Sequence, residues 1–148
     1  IKDHSQHEQL AIDLAELDKT RASLAGSTQT VEFTEDALLK IAADTGAISK
    51  GKAIFIQKCA PCHGNDGQGI IGPNLTDKFW IHGGKLTEIR TTILNGVPAK
   101  GMISWKGMMS DDEINSAIAY IRSIRGTSPA NPKVRSKKSS GNCVPPSA

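Results

Sequence analysis

Residues 59–63 are Cys-Ala-Pro-Cys-His, the C-x-x-C-H arrangement by which a haem group is attached covalently to a protein. Two cysteines three positions apart can add to the two vinyl groups on one edge of a porphyrin. The histidine that follows is then held beneath the iron as its proximal ligand. The motif therefore predicts that Cys59, Cys62 and His63 hold one haem c, whose iron gains and loses single electrons.

Two other uses of this cysteine pair must be weighed. A redox disulfide of the thioredoxin type normally opens a helix after a strand, whereas this motif closes a predicted helix. A zinc site needs a second pair of ligands at matched spacing. The remaining candidates for such ligands are His4, His7, His82 and Cys143. Their scattered positions favour haem over both alternatives.

The second axial ligand of the iron has several candidates. Met102 lies in a loop over 97–102, in which a proline stiffens the backbone and a glycine permits close approach to the macrocycle. A thioether ligand raises the reduction potential, which suits a high-potential electron carrier. We expect Met102 to be the ligand, with Met108, Met109, His82 or an open site as alternatives. Met108 and Met109 can equally fill the core.

Three further residues are expected to support the haem. A ligating histidine usually donates its other ring N–H to a carbonyl, and the loop over 72–75 is well placed to offer one. We expect the Pro73 carbonyl to accept this hydrogen bond from His63. Trp80 and Trp105 have indole N–H groups that can reach haem propionates, although plain packing of the rings is an equal alternative.

Hydrophobic periodicity predicts the helices that must position these residues. They are expected at 8–24, 35–43, 49–60, 86–96 and 111–125. Gly46 is expected to end the second helix, and a capping box over 110–113 to start the last. The segment 64–85 is rich in Gly, Asn, Asp and Pro and is predicted to be irregular. The helix over 49–60 therefore delivers the cysteines to the site.

Composition and charge limit the classes of function. The 148 residues suit one compact domain, and only 4% are aromatic, a lean supply for a core that a porphyrin would extend. Residues 1–50 hold five Lys/Arg against nine Asp/Glu, and the remainder holds thirteen against six. We expect an acidic helical stalk or docking segment at 1–33, a haem domain at 34–126 and a basic, flexible Pro/Ser-rich tail at 127–148. Basic helices with interleaved aromatics are missing, so no nucleic-acid partner is expected.

Gly51 and Phe55 lie in the predicted helix before the cysteines, and Ala117 and Tyr120 lie in the last predicted helix. These residues match those at the crossing of the first and last helices in class I cytochromes c, a family that the chain resembles over about residues 46–126. The resemblance implies an all-α cytochrome c fold, with three to five short helices around a covalently bound haem. It also implies that Met102 is the distal ligand and that Pro73 supports His63.

Further motifs are found at 62–64, 72–75, 80–84, 96–98, 100–105 and 126–132. They give a closer resemblance, to the cytochrome c subunit, subunit III, of cbb-type haem-copper oxidases. The resemblance implies a relay of electrons to the catalytic subunit of a terminal oxidase in aerobic respiration, without catalysis by this chain. The implied donor is a cytochrome or a quinol-oxidising complex. The implied location is the periplasmic side of a bacterial cytoplasmic membrane.

Members of that family commonly carry two haem domains behind a transmembrane helix. This sequence has one C-x-x-C-H and no run of eighteen apolar residues, so membrane association would depend on an anchor before Ile1. The alternatives are a free-standing soluble periplasmic cytochrome c, and a haem enzyme or gas sensor with an open sixth site. Four lysines are expected to rim the haem edge, either steering an acidic partner or simply solvated: Lys78, Lys85, Lys100 and Lys106. Cys143 is expected to be an unpaired thiol.

Overall fold

The computed structural model describes residues 32–134 and the backbone of 142–143. The predicted helix over 8–24 and nearly all of the predicted segment 1–33 lie outside the described residues, as does the side chain of Cys143. The compact unit that holds the described fold begins at Phe33. Among the described residues, no helix has the length and apolar character needed to cross a membrane.

Five α-helices dominate the described part of the chain, as expected for an all-α fold. They are α1 (Glu35–Ala42), α2 (Thr45–Lys58), α3 (Ala60–His63), α4 (Leu86–Asn95) and α5 (Asp111–Ser123). A 3-10 turn spans Pro98–Lys100. Two short strands, β1 (Phe79–Trp80) and β2 (Asn142–Cys143), pair antiparallel with Phe79 opposite Cys143. Strands of two residues are too short to give an alternating pattern, so the sequence did not indicate them.

The start of α2 differs from the prediction. Gly46 was expected to end the preceding helix, but α1 already ends at Ala42, and the Asp44 carboxylate accepts a hydrogen bond of 2.9 Å from the Gly46 N–H. Asp44 is therefore the N-cap of a helix that begins at Thr45, four residues earlier than predicted. Gly46 lies inside the first turn of α2, where the N-cap sets the helix start in spite of the low helix propensity of glycine.

Helices α2 and α5 cross at Gly51. A Cβ atom added to Gly51 would lie 1.8 Å from the carbonyl oxygen of Ser116, so any side chain would force the helices apart. Phe55, one turn further along α2, is fully buried, and its ring centroid lies 5.1 Å from that of Tyr120. The crossing therefore fixes the axis of α2, and with it the position of Cys59 at the end of that helix.

Helix α1 is joined to α4 by the carboxylate of Glu35. Its oxygens accept hydrogen bonds from the backbone N–H groups of Leu86 (2.9 Å) and Thr87 (3.0 Å) and from the Thr87 hydroxyl (3.1 Å). The first N–H groups of a helix have no partner within the helix, and a negative charge there also interacts favourably with the helix dipole. Glu35 thus acts as a cap supplied from another helix.

We predict that Glu35→Gln lowers the free energy of unfolding of the haem-loaded chain by about 1 kcal/mol at pH 7, because a neutral amide accepts these bonds more weakly. Burial raises the pKa of Glu35, but the hydrogen bonds from Leu86 and Thr87 outweigh it and bring the pKa below its usual 4.5. A lowered pKa gives stabilisation that is complete above the unfolded-state pKa and is lost as the pH falls through the folded-state pKa.

Denaturant unfolding at pH 7 and at about pH 3 checks this prediction, since the difference between the two proteins should shrink on acidification. Glu32→Gln, which changes the charge at an exposed position, is the control and should unfold like the wild type at both pH values. An equal difference between wild type and Glu35→Gln at both pH values would contradict the prediction.

Candidate haem site

The C-x-x-C-H motif spans the junction between α2 and α3. Cys59 is the C-cap of α2, and its N–H donates to the Phe55 carbonyl at 2.8 Å. The carbonyl of Cys59 then accepts from the His63 N–H at 2.9 Å, which closes the single turn of α3. Pro61 stands in the first turn of α3, where its missing N–H costs nothing. Local hydrogen bonds thus hold the cysteines and the histidine within one turn of each other.

Both cysteines of the motif are free thiols, with Cys59 half-buried and Cys62 exposed. Burial raises the pKa of the Cys59 thiol to about 11. Redox-active cysteines of the thioredoxin type have the opposite property, a pKa lowered so that the thiolate is present near neutral pH. The environment of Cys59 therefore argues against a catalytic disulfide. In the residues from 32 to 134, no three His, Cys, Asp or Glu side chains cluster as a metal site would require.

The structure brings His63 and Pro73 together. Nδ1 of His63 lies 3.0 Å from the Pro73 carbonyl oxygen, so Nδ1–H donates this bond and Nε2 keeps a free lone pair. Burial lowers the pKa of His63, the bond to Pro73 acts against this, and the positive charge of Lys133 lowers it further. His63 is therefore neutral near pH 7, the form in which an imidazole binds a metal ion.

A glycine-rich loop encloses the His63 ring. A Cβ atom on Gly72 would lie 2.7 Å from Cε1 and 2.8 Å from Nδ1 of His63, so the imidazole packs directly against the backbone there. The Gly72 N–H donates to the Cys62 carbonyl at 2.8 Å, and the Gly69 N–H donates to the His63 carbonyl at 2.7 Å. The loop therefore fixes both the plane of the ring and the backbone beneath it.

Met102 lies at the end of a tight turn. Its backbone pairs with that of Val97 through two hydrogen bonds, of 2.9 and 3.1 Å, and its side chain is half-buried against the core. The turn packs closely on the end of α4, since a Cβ atom on Gly96 would lie 2.6 Å from the carbonyl carbon of Ile103. Gly96 has a φ of 67°, which a side chain would strain. The backbone on which Met102 is carried is thus held at both ends.

The other candidates for the second axial ligand occupy different surroundings. Met109 is 7% exposed and belongs to the hydrophobic core. Met108 is 60% exposed, and His82 is also exposed. The side chain of Met102 is half-buried beside the core, so part of it is free to contact a cofactor. These placements favour Met102, which remains a prediction.

The two tryptophans have different environments. Trp80 is 8% exposed, and the guanidinium of Arg125 lies 4.5 Å from its ring centroid. Arg125 also donates to the Gly84 carbonyl, while its Nε is buried without a hydrogen-bond partner in the described part of the chain. Trp105 is half-buried, with the Lys58 ammonium 5.4 Å from its ring. Packing accounts for the burial of Trp80, and a propionate contact of either indole stays a prediction.

The loop beside the motif suits a haem group. Ile70 and Ile71 expose more than half of their surface, and they immediately precede Gly72, which packs against the His63 ring. A haem group attached at Cys59 and Cys62 could cover these two side chains, and His63 has its Nε2 available to the iron.

Sequence reasoning missed the contacts of three residues: Gly72 with the His63 ring, Lys133 with the loop at 70–72, and Arg125 with Trp80. The contact of Gly72 with the imidazole depends on how its loop folds. Arg125 and Lys133 act on backbone carbonyls far away in the sequence, and such contacts leave no periodic pattern. The sequence shows that Arg125 and Lys133 are positively charged, but it does not indicate which groups they bind.

Comparison with known proteins identifies the family and the fold of this chain. The model of the family described as cytochrome c oxidase, cbb3-type, subunit III matches residues 46–121. A crystal structure of cytochrome CL from the methylotroph Methylophaga aminisulfidivorans is similar, with a TM-score of 0.51 and 27% identity over 57% of each chain. The prediction of an all-α cytochrome c fold is therefore confirmed.

Curated relatives are similar over most of this chain. The cbb3-type cytochrome c oxidase subunit FixP of Bradyrhizobium diazoefficiens is 34% identical over 137 residues, which cover 83% of this chain and 46% of FixP. Subunit CcoP of Rubrivivax gelatinosus is 32% identical over 113 residues, covering 76% of this chain and 36% of CcoP. This chain thus spans less than half the length of these relatives. The predicted resemblance is confirmed, and the chain belongs to the family of subunit III of cbb3-type cytochrome c oxidases.

Proposed function

We propose that this chain relays single electrons to the catalytic subunit of a cbb3-type terminal oxidase in aerobic respiration. The observation that carries the proposal is the junction of α2 and α3, where two free thiols adjoin a histidine oriented by the Pro73 carbonyl at 3.0 Å. Haem c, attached at Cys59 and Cys62, supplies a one-electron Fe(III)/Fe(II) couple when bound. The chain itself makes and breaks no substrate bond.

The protein residues have distinct parts in this proposal. Cys59 and Cys62 would form the thioether links, and the neutral imidazole of His63 would bind the iron through Nε2. Met102 would supply a thioether sulfur as the second protein ligand, which favours the reduced state. Two protein ligands would favour a carrier over a haem enzyme or gas sensor, which needs an open coordination position.

One C-x-x-C-H in this sequence supports one haem c for this chain. We propose the oxidase catalytic subunit as electron acceptor, and a small cytochrome or a quinol-oxidising complex as donor. The proposed location is the periplasmic side of a bacterial cytoplasmic membrane. Fractionation of the complete gene product tests this: retention in salt-washed membranes together with the oxidase supports it, and release as a free protein favours a soluble periplasmic carrier.

The state of the sixth coordination position is tested by carbon monoxide and by optical spectra. A carrier with His63 and Met102 bound should give a low-spin ferric spectrum with the weak far-red band of methionine ligation, and its ferrous form should resist carbon monoxide. A high-spin ferric spectrum with immediate binding of carbon monoxide would support the haem enzyme or gas sensor instead.

Electrostatic steering by the lysines gives a further prediction. The four lysines expected at the haem edge are all exposed: Lys78, Lys85, Lys100 and Lys106. We predict that electron transfer to an acidic redox partner slows by roughly tenfold between low salt and about 0.5 M salt, because screening weakens long-range attraction.

A double variant, Lys100→Gln with Lys106→Gln, should reduce this salt dependence in stopped-flow measurements. Lys40→Gln removes one charge from an exposed position on α1 and is the control. Equal salt dependence in the double variant and the wild type would show that these two lysines are ordinary solvated surface.

A further inference from the structure

Lys133 makes an unusual set of contacts with the loop beside His63. Its ammonium donates to three consecutive backbone carbonyls, those of Ile70 at 2.9 Å, Ile71 at 3.0 Å and Gly72 at 3.2 Å. An ammonium group has three N–H donors, so all of them are used. The backbone N–H of Lys133 also donates to the Gln68 carbonyl at 2.8 Å. Residue 133 therefore closes one side of the whole 68–72 loop.

Two unusual backbone conformations accompany the close contact between Lys133 and the 68–72 loop. Asn131 has a φ of 52°, the left-handed conformation that non-glycine residues rarely adopt, and it lies two residues before Lys133. Opposite Lys133, Gly69 has a φ of 86°, and a Cβ atom there would lie 2.9 Å from the Cβ of Lys133. The predicted flexible tail begins at 127, yet this part of it is hydrogen-bonded to the loop.

The same loop orients the candidate iron ligand. Gly72, whose carbonyl accepts from Lys133, packs against the His63 ring, and the next residue, Pro73, accepts the Nδ1–H bond. Lys133 thus holds the loop that packs against the imidazole. Its positive charge is hydrogen-bonded to the carbonyl of Gly72, one residue before the carbonyl that orients His63. A positive charge in this position disfavours the more oxidised, more positive iron.

Resting on the proposed function, we propose that Lys133 is a positioning residue for the proximal ligand: it locks the 70–72 loop against His63 and raises the reduction potential of the haem. Loop closure and charge are two separable contributions. Substitutions can remove the charge alone or the charge together with the hydrogen bonds.

The test uses the full haem-loaded chain and four variants. Lys133→Gln keeps N–H donors without the charge, Lys133→Met removes both, and Lys133→Arg keeps the charge. Lys52→Gln removes one charge from an exposed position on α2 and is the matched control. Reduction potential is measured against a reference couple, the EPR spectrum of the ferric haem reports the orientation of the histidine, and amide exchange reports the closure of the loop.

We expect the Gln and Met variants to shift the electron-exchange equilibrium towards the oxidised form by about threefold to tenfold, where tenfold is 59 mV for a one-electron couple. The Arg variant should retain the wild-type potential. The Met variant should also change the EPR spectrum and speed amide exchange over 68–73. If the Met variant fails to mature, the Gln and Arg variants still decide the outcome through their potentials.

Potentials of the Gln and Met variants equal to that of Lys52→Gln would overturn the proposal, even if both variants unfold more easily. That result would leave Lys133 with a role in stability alone. Failure of the wild-type chain to take up covalent haem would instead overturn the proposed function. The two failures are therefore distinguishable in the same set of samples.

Discussion

Met102→Ala is expected to lower the reduction potential of the haem-loaded chain by roughly 0.1–0.3 V, a fraction of the roughly 0.8 V range that axial ligands set. A neutral thioether stabilises Fe(II) relative to Fe(III), so its loss favours the oxidised state. The half-buried position of Met102, on a turn paired with Val97, keeps the sulfur near the core without burying it there.

Spectroelectrochemical titration measures this change, and the far-red band of the ferric spectrum should disappear with it. Met108→Ala is the matched control, because Met108 is 60% exposed and its loss should leave potential and spectrum unchanged. If Met102→Ala kept the potential and the band while Met108→Ala lost them, the axial ligand would have been assigned to the wrong methionine.

Gly51→Ala is expected to lower the free energy of unfolding by about 3 kcal/mol, at the upper end of the usual cost of overpacking. The added Cβ would lie 1.8 Å from the Ser116 carbonyl oxygen, a backbone atom that cannot rotate away. Separation of α2 from α5 would also weaken the packing of Phe55 on Tyr120. Because α2 ends at the haem motif, covalent haem attachment should fall as well.

Gly46→Ala is the matched control, since it places the same methyl group in the same helix. The atom nearest to its Cβ would be Oδ1 of Asp44 at 3.4 Å, an ordinary van der Waals contact, and alanine has the higher helix propensity. We expect this variant to be as stable as the wild type or slightly more so. Denaturant titration of both variants decides the matter, and equal stabilities would show that α2 and α5 do not cross as described.

The chemistry of the site could be predicted from the sequence because it is encoded locally. Two cysteines and a histidine within five positions need only one helical turn to come together, whatever the rest of the fold does. The capping box at Ser110 and Glu113 likewise predicted the start of α5 at residue 111, because both partners lie within four residues.

Features that depend on distant partners were predicted less well. Helix α2 begins at Thr45, four residues before the expected start. The Asp44 side chain caps the helix there by accepting a hydrogen bond from the Gly46 N–H, in spite of the low helix propensity of glycine. Glu35 caps a helix some fifty residues away, and Lys133 binds carbonyls about sixty residues back. Backbone carbonyls are identical in every residue type, so no pattern of side chains reveals which ones a charged group will reach.

Domain limits at 33/34 and 126/127 remain predictions. Lys133, in the described segment before residue 135, donates hydrogen bonds to the loop at 70–72. Contacts of Trp80 and Trp105 with haem propionates remain predictions. Backbone hydrogen bonds hold Cys59, His63 and Met102, so the fold itself sets the positions of these site residues.

We propose above all that Cys59, Cys62 and His63 hold one covalent haem c. Intact mass spectrometry of the chain, produced in a host that matures c-type cytochromes, tests it most directly. We predict the mass of the chain plus one haem, a haem-bearing peptide over 59–63, and loss of covalent haem when both cysteines are replaced by serine. A mass without haem, or with the deficit of a disulfide between the two cysteines, would contradict the account.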